Sequence, residues 1–216
     1  LELLGAGVVY DFSNAGNNVN SLTANTGTVT YLDGDALTVN NITATGEIEI
    51  STDSGNLTLS GNVTTTSNSA DAIILNAGRS ESIGTETGGD ILVSGTPTVS
   101  TGATGIAKLF SGSELTSTGL TDLVGGASNV RKEVDETTVT FDPVLVAGNA
   151  YALYRIQDVI QLTIASQDLT LSKSYDGTDL ATVTDIVLSG VRDGDEVTVT
   201  GEATYDNALV GDGKTI

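Results

Sequence analysis

Two pairs of carboxylates stand two residues apart in this chain, Glu47 with Glu49 and Asp33 with Asp35. On an extended strand that spacing puts both side chains on one face. Two acids held on one face are what a polysaccharide-cleaving enzyme needs to flank a glycosidic bond. A third acidic set, Asp193 and Asp195 followed by Glu196, lies beside glycine nearer the C-terminus, and Asp212 sits between two glycines. Hard oxygen ligands in glycine-containing loops suit calcium. Asp33, Asp35, Asp193 and Asp195 are therefore the candidate metal ligands, with calcium the candidate cofactor. None of them follows an EF-hand or the glycine-rich calcium nonapeptide, and an ordinary acidic turn has the same composition. Catalysis has little else to draw on. There is no His and no Cys, so no Ser–His or Cys–His nucleophile and no typical zinc site. No Lys or Arg precedes Arg79 to hold a sugar acid. Aromatic residues make up only 4% of the chain, which leaves few rings to stack on sugars. The expectation is a protein that is not an enzyme.

Charge narrows the partners. Twenty-eight acids against 8 bases give a net charge of −20. Phosphate backbones and anionic membranes both require a basic surface, so nucleic acid and lipid headgroups are excluded as partners. No apolar run approaches the length of a membrane span, so membrane insertion is not expected. Such a surface favours solubility and mutual repulsion between copies. The absence of Cys removes any disulfide framework. The absence of Met, including at position 1, leads us to expect a piece of something longer or a processed product.

The acid pairs belong to a repeat. Val29 and Ile48 are 19 residues apart, as are Tyr31 and Ile50; Leu37 and Leu57 are 20 apart, and Ile42 and Val63 are 21 apart. Each copy holds short strands of strict apolar–polar alternation broken by Gly, Asn, Asp and Ser. Alternation of period two means one face in and one face out. No copy could bury its apolar face alone, and a period near 20 with several short strands predicts a stacked parallel β-helix. A longer echo carries Leu57 to Ile91, Leu75 to Leu109 and Gly78 to Gly112, all 34 apart. The excess is expected in two excursions, residues 64–71 and 79–90. The alternative, a β-sandwich, would need regular two-residue hairpin turns, and Asp33-Gly34 is one of few candidates.

The periodicity predicts an inward set of Val29, Tyr31, Leu37, Val39, Ile42, Ile48, Ile50, Leu57, Leu59, Val63, Ile73, Leu75, Ile91, Val93, Val99, Ile106 and Leu109. Outward stand Thr28, Thr30, Thr38, Glu47, Glu49 and Thr58. Of these, Thr28, Thr30, Glu47 and Glu49 are the candidate ligand-binding residues, although outward strand positions must be polar in any case. Replacement of Thr28 and Thr30 by Glu47 and Glu49 one repeat later breaks the flat threonine rank that ice binding needs.

Three segments are expected. Residues 1–150 form the β-helix, with irregular last coils and a cap. Residues 151–161, where aromatics gather and glycine disappears, form a junction. Residues 162–216 form a small antiparallel β domain with turns at Asp176-Gly177, Ser189-Gly190, Asp193-Gly194 and Gly211-Asp212-Gly213.

Two family resemblances follow. The run Thr38-Val39-Asn40-Asn41-Ile42-Thr43-Ala44-Thr45-Gly46-Glu47-Ile48-Glu49-Ile50, continuing to Val63, resembles the repeats of filamentous-haemagglutinin-type bacterial exoproteins. That resemblance implies a right-handed parallel β-helix, export by two-partner secretion through an outer-membrane transporter, and a place on the bacterial cell surface. Lys173-Ser174-Tyr175-Asp176-Gly177-Thr178, Leu188-Ser189-Gly190-Val191, Gly194-Asp195, Val197-Thr198-Val199-Thr200-Gly201 and Ala203-Thr204-Tyr205-Asp206 resemble the YDG domain, a module that recurs in tandem in large bacterial surface adhesins. It looks cut short at Ile216. Together they imply a secreted adhesin that mediates attachment or biofilm cohesion by binding carbohydrate or a surface protein. A passive stalk with no ligand of its own is the alternative, and a polysaccharide-cleaving β-helix the minor one.

Overall fold

A computed structural model describes residues 1–132, 134, 144–156, 162–169, 174–181, 183–189, 197–199 and 203–211. The architecture is all-β, with 43% of residues in strands against 4% in helix. The chain divides into two compact units, Leu1–Asp158 and Val159–Ile216.

The first unit is one curled parallel sheet. Its strands are β1 (Glu2–Phe12), β2 (Ser21–Asp33), β3 (Leu37–Ala44), β4 (Ile48–Thr52), β5 (Leu57–Leu59), β6 (Val63–Thr65), β7 (Ile73–Asn76), β8 (Ile91–Val93), β9 (Val99–Ser100), β10 (Ala107–Ser111), β11 (Val130–Lys132) and β12 (Ala150–Tyr154). Parallel neighbours cannot be joined by a tight hairpin, so each strand pairs with one a full repeat away. The expected register is present. Val29 pairs with Ile48 and Ile48 with Ile73. Leu37 pairs with Leu57 and Leu57 with Ile91, Ile42 with Val63, and Leu75 with Leu109. The long strand β2 serves two ladders: its first half pairs with β3 and its second half with β4. No hairpin pairing of the sandwich kind occurs among the described strands of this unit.

Alternation turns this register into a core. Val29, Ile48 and Ile73 form one fully buried column, and Tyr31, Ile50, Leu75 and Leu109 form its neighbour. Each such side chain contributes about 1.5–3 kcal/mol on burial. Val93 and Val99 are only partly buried against that core. Ile106 is not in it: the 34-residue step sets Ala107 opposite Ile73, so Ala107 takes the inward place and Ile106 falls on the other face. Where β1 meets β2, a Cβ on Gly27 would strike the backbone of Gly7, so glycine lets the strands close at a register shift.

Past β10 the chain adds further residues to the core. A short helix α1 (Leu120–Leu123) buries Leu120, and Val124 follows it into the main core. The aromatic stretch expected as part of a junction forms β12, paired with β10 on one side and β11 on the other. Its outward residues Tyr151 and Leu153 join Ile106, Phe110 and Val134 in a second apolar cluster, with Ile74 and Leu145 packed against it. The Arg131 guanidinium lies 5.1 Å from the centre of the Tyr151 ring and donates to the Val144 carbonyl at 3.1 Å. The Val146 N–H donates to the Tyr151 hydroxyl at 2.8 Å.

In the second unit β13 (Thr163–Leu169) runs antiparallel to β15 (Val183–Ser189), and β14 (Leu180–Ala181) to β16 (Ala203–Thr204). Tyr175-Asp176-Gly177 is a turn. The Asp176 carboxylate accepts from the Thr178 N–H and hydroxyl, both at 2.9 Å, and Gly177 has φ of 80°. Among the described residues no helix is long and apolar enough to cross a membrane.

Candidate functional site

The four outward candidates sit together on adjacent strands. Thr30 of β2 pairs directly with Glu49 of β4, and Asp11 of β1 stands on the far side of Thr30. The Val29 N–H donates to the Glu47 carbonyl at 3.2 Å, which brings the segment before β4 alongside Thr28. A Cβ on Gly46 would collide with the Thr28 hydroxyl, so a larger residue there would have to displace that side chain. Glu47 is exposed, whereas Thr28, Thr30 and Glu49 are half-buried.

A cation missing from the neighbouring sequence reaches this face from the next repeat. Arg79 Nη1 lies 2.7 Å from Glu49 Oε1. No base precedes Arg79 in the chain, yet the stacking of β7 on β4 delivers it to Glu49 thirty residues away. Glu49 is therefore ion-paired while Glu47 faces solvent. The sequence signal that could have found Arg79 is its place just after β7, whose register with β4 follows from the repeat.

Asp33 and Asp35 separate in the same way. Asp33 is fully buried. Its Oδ2 accepts from the Val19 N–H at 3.0 Å and the Tyr31 hydroxyl at 2.9 Å, and its Oδ1 from the Asp35 N–H at 3.2 Å. Asp35 is exposed and accepts from Asn18 Nδ2 at 2.9 Å. Both carboxylates fasten the loop between β1 and β2. Burial first, then the hydrogen bond and charge of Asp33, holds the Tyr31 phenol well above the usual tyrosine range. The i, i+2 spacing of Tyr31 and Asp33, both pointing inward, was the available sign of this pair. Asp193, Asp195 and Asp212 lie outside the described residues. Among the described residues no three acidic side chains converge into a metal-binding group.

One more polar cluster is buried near the stack end. The Ser111 and Ser117 hydroxyls are 2.5 Å apart, Ser117 reaches Asp90 Oδ1 at 3.2 Å, and the Ile91 N–H donates to Ser111 at 2.8 Å. This network ties β8 to β10.

Residues 157–216 match the family model of the YDG domain, in agreement with the resemblance carried by Tyr175-Asp176-Gly177 and the strands after it. No curated protein matches the chain, and no solved structure does. The filamentous-haemagglutinin resemblance of the first unit has no counterpart in these matches.

Proposed function

We propose that this chain is a segment of a large, secreted bacterial surface adhesin that works by shape and repetition, without catalysis. The observation that carries the reading is the succession, in one chain, of a repeating parallel ladder and a YDG match at residues 157–216. In this reading the curled parallel sheet is a right-handed parallel β-helix, a rod whose backbone bonds are satisfied along the stack. The acidic, Cys-free surface suits a rod that stays soluble and repels its neighbours outside the cell. Export follows the two-partner route through an outer-membrane transporter. Carbohydrate or a surface protein is the ligand, and the outward face of Thr28, Thr30, Glu47 and Glu49 receives it, with calcium bridging carboxylates and sugar hydroxyls.

The test is adhesion of the purified chain to glycan arrays and to cells, with and without chelator, alongside a Glu47→Ala, Glu49→Ala variant. Reproducible binding that falls in the variant supports the site. Binding unchanged in both arms removes the site and its calcium, and turnover of any polysaccharide removes the non-enzymatic reading.

A passive spacer is the second reading. What favours it is the Glu49–Arg79 pair and the use of Asp33 and Asp35 as loop fasteners, which leave Glu47 as the one exposed acid of the two pairs without a recorded side-chain partner among the described residues. Silence on every array and cell type supports the spacer.

A further inference from the structure

Arg155 has the largest of the fully buried side chains, at 1% exposure. It lies one residue beyond β12, at the end of the first unit. Its Nη1 donates to the carbonyls of Ala77 at 2.6 Å and Gly78 at 3.4 Å. Its Nη2 donates to Gly89 at 2.8 Å and Thr87 at 3.5 Å, and its Nε to Thr85 at 3.3 Å. All five carbonyls belong to one excursion, the chain between β7 and β8. The backbone of Arg155 grips the same pieces: its N–H donates to Ser111 of β10 at 3.0 Å, and its carbonyl accepts from the Gly84 N–H at 2.9 Å.

The excursion has no core to fold around. From Arg79 to Gly88 its only large apolar residue is Ile83, and Ile83 is exposed. Hydrophobic burial therefore does not order it. A guanidinium taken out of water is costly unless its donors are met, and here the excursion meets them with backbone carbonyls turned inward. Each side satisfies the other. The planar fork of arginine matches this task, because it aims five N–H groups in fixed directions, whereas a lysine ammonium is a compact point with three.

We propose that Arg155 is a latch, and that the excursion at residues 77–89 takes up its fold only when β12 has docked and seated the guanidinium. The order of chain elements makes this a device rather than a contact. The excursion precedes its organiser by more than 60 residues, so the surface between β7 and β8 stays open until the last strand of the first unit is in place. Displacement of the chain just past Arg155 is transmitted to a surface loop early in the stack. The inference is independent of ligand binding: the latch and the adhesin reading fail by different measurements.

The experiment is backbone hydrogen exchange on the full chain, comparing the native protein with Arg155→Lys and Arg155→Met. Reporters are the amides of Glu81, Gly84 and Thr85, and controls are those of Ile48 and Ile50. The latch predicts exchange about tenfold faster or more at the reporters in both variants, with the controls unchanged. Unchanged reporters in a folded variant overturn it. Equal loss at reporters and controls also overturns it, because Arg155 would then support the unit as a whole. Should neither variant fold, the native protein in low urea decides. Opening of the excursion together with the amides of Ala152 and Tyr154 supports the latch, and separate openings overturn it.

Discussion

One outward column of the first unit, followed from strand to strand, changes character along its length. It begins Asp11, Thr30, Glu49 and continues Ile74, Lys108, Tyr151. The column two residues on runs Ser51, Asn76, Phe110, Leu153. The early positions are polar, and the late ones close a second apolar cluster against Val134 and Leu145. The first column is thus partly exposed at Thr30 and Glu49 and covered at Tyr151, whereas the second is buried throughout, polar at Ser51 and Asn76 and apolar at Phe110 and Leu153. Alternation tells which residues share a face; it does not tell whether water or protein lies against it.

The inner columns set the scale for breaking this contrast. Ile48→Asp places an unpaired charge in the fully buried column and is expected to cost about 4 kcal/mol or more. Urea unfolding reads it, and near-native stability would break the register. On the late outer face Phe110→Ala is expected to cost about 3 kcal/mol, a core penalty at an outward position. A loss below about half a kcal/mol would mean that the second cluster is only a surface patch.

Smaller effects sharpen the early half. Tyr31→Phe removes the hydroxyl that donates to buried Asp33 and is expected to cost about 1 kcal/mol at neutral pH. Its pH signature follows from the raised phenol pKa. The folded state keeps a proton that the unfolded chain releases near pH ~10. The contribution is whole below that pH and is lost as pH rises toward the folded value. Urea midpoints at pH 8 and pH 11 should fall more steeply in the native protein than in the variant, and parallel falls would refute the burial of that phenol. Ser51 occupies the column of Phe110 two strands earlier, and its hydroxyl is buried with no hydrogen-bond partner among the described residues. Ser51→Ala is expected to stabilise by up to about 1 kcal/mol, so a clear loss would mean that the hydroxyl is satisfied in solution. Glu49→Ala, which removes the half-exposed pair with Arg79, should change stability by less than about 1 kcal/mol and less still in high salt.

Much of the first unit was legible because a stacked repeat writes its register into the chain. The offsets between Val29 and Ile48, and between Leu57 and Ile91, reappear as strand pairs. The YDG stretch was legible for another reason, since Tyr175-Asp176-Gly177 and its neighbours carry a local turn chemistry. Residue type alone reached less far. Asp33, a candidate metal ligand by its loop position, is buried and accepts from Val19 and Tyr31. Ile106 looked like core and packs on the opposite face. The aromatic stretch at 151–154, expected to belong to a junction, is a strand paired between β10 and β11.

By itself the sequence determined the alternation, the step between partners, the polarity of the early face and the lack of nucleophilic side chains, because each is a property of residue type and spacing. Only the tertiary structure decided that Arg79 meets Glu49, that β12 lies between β10 and β11, and that Arg155 fills its fork with the carbonyls of a loop more than 60 residues earlier. Those contacts join side chains to partners in other repeats or in excursions that do not repeat. No periodicity encodes them, and they exist only once the strands have closed.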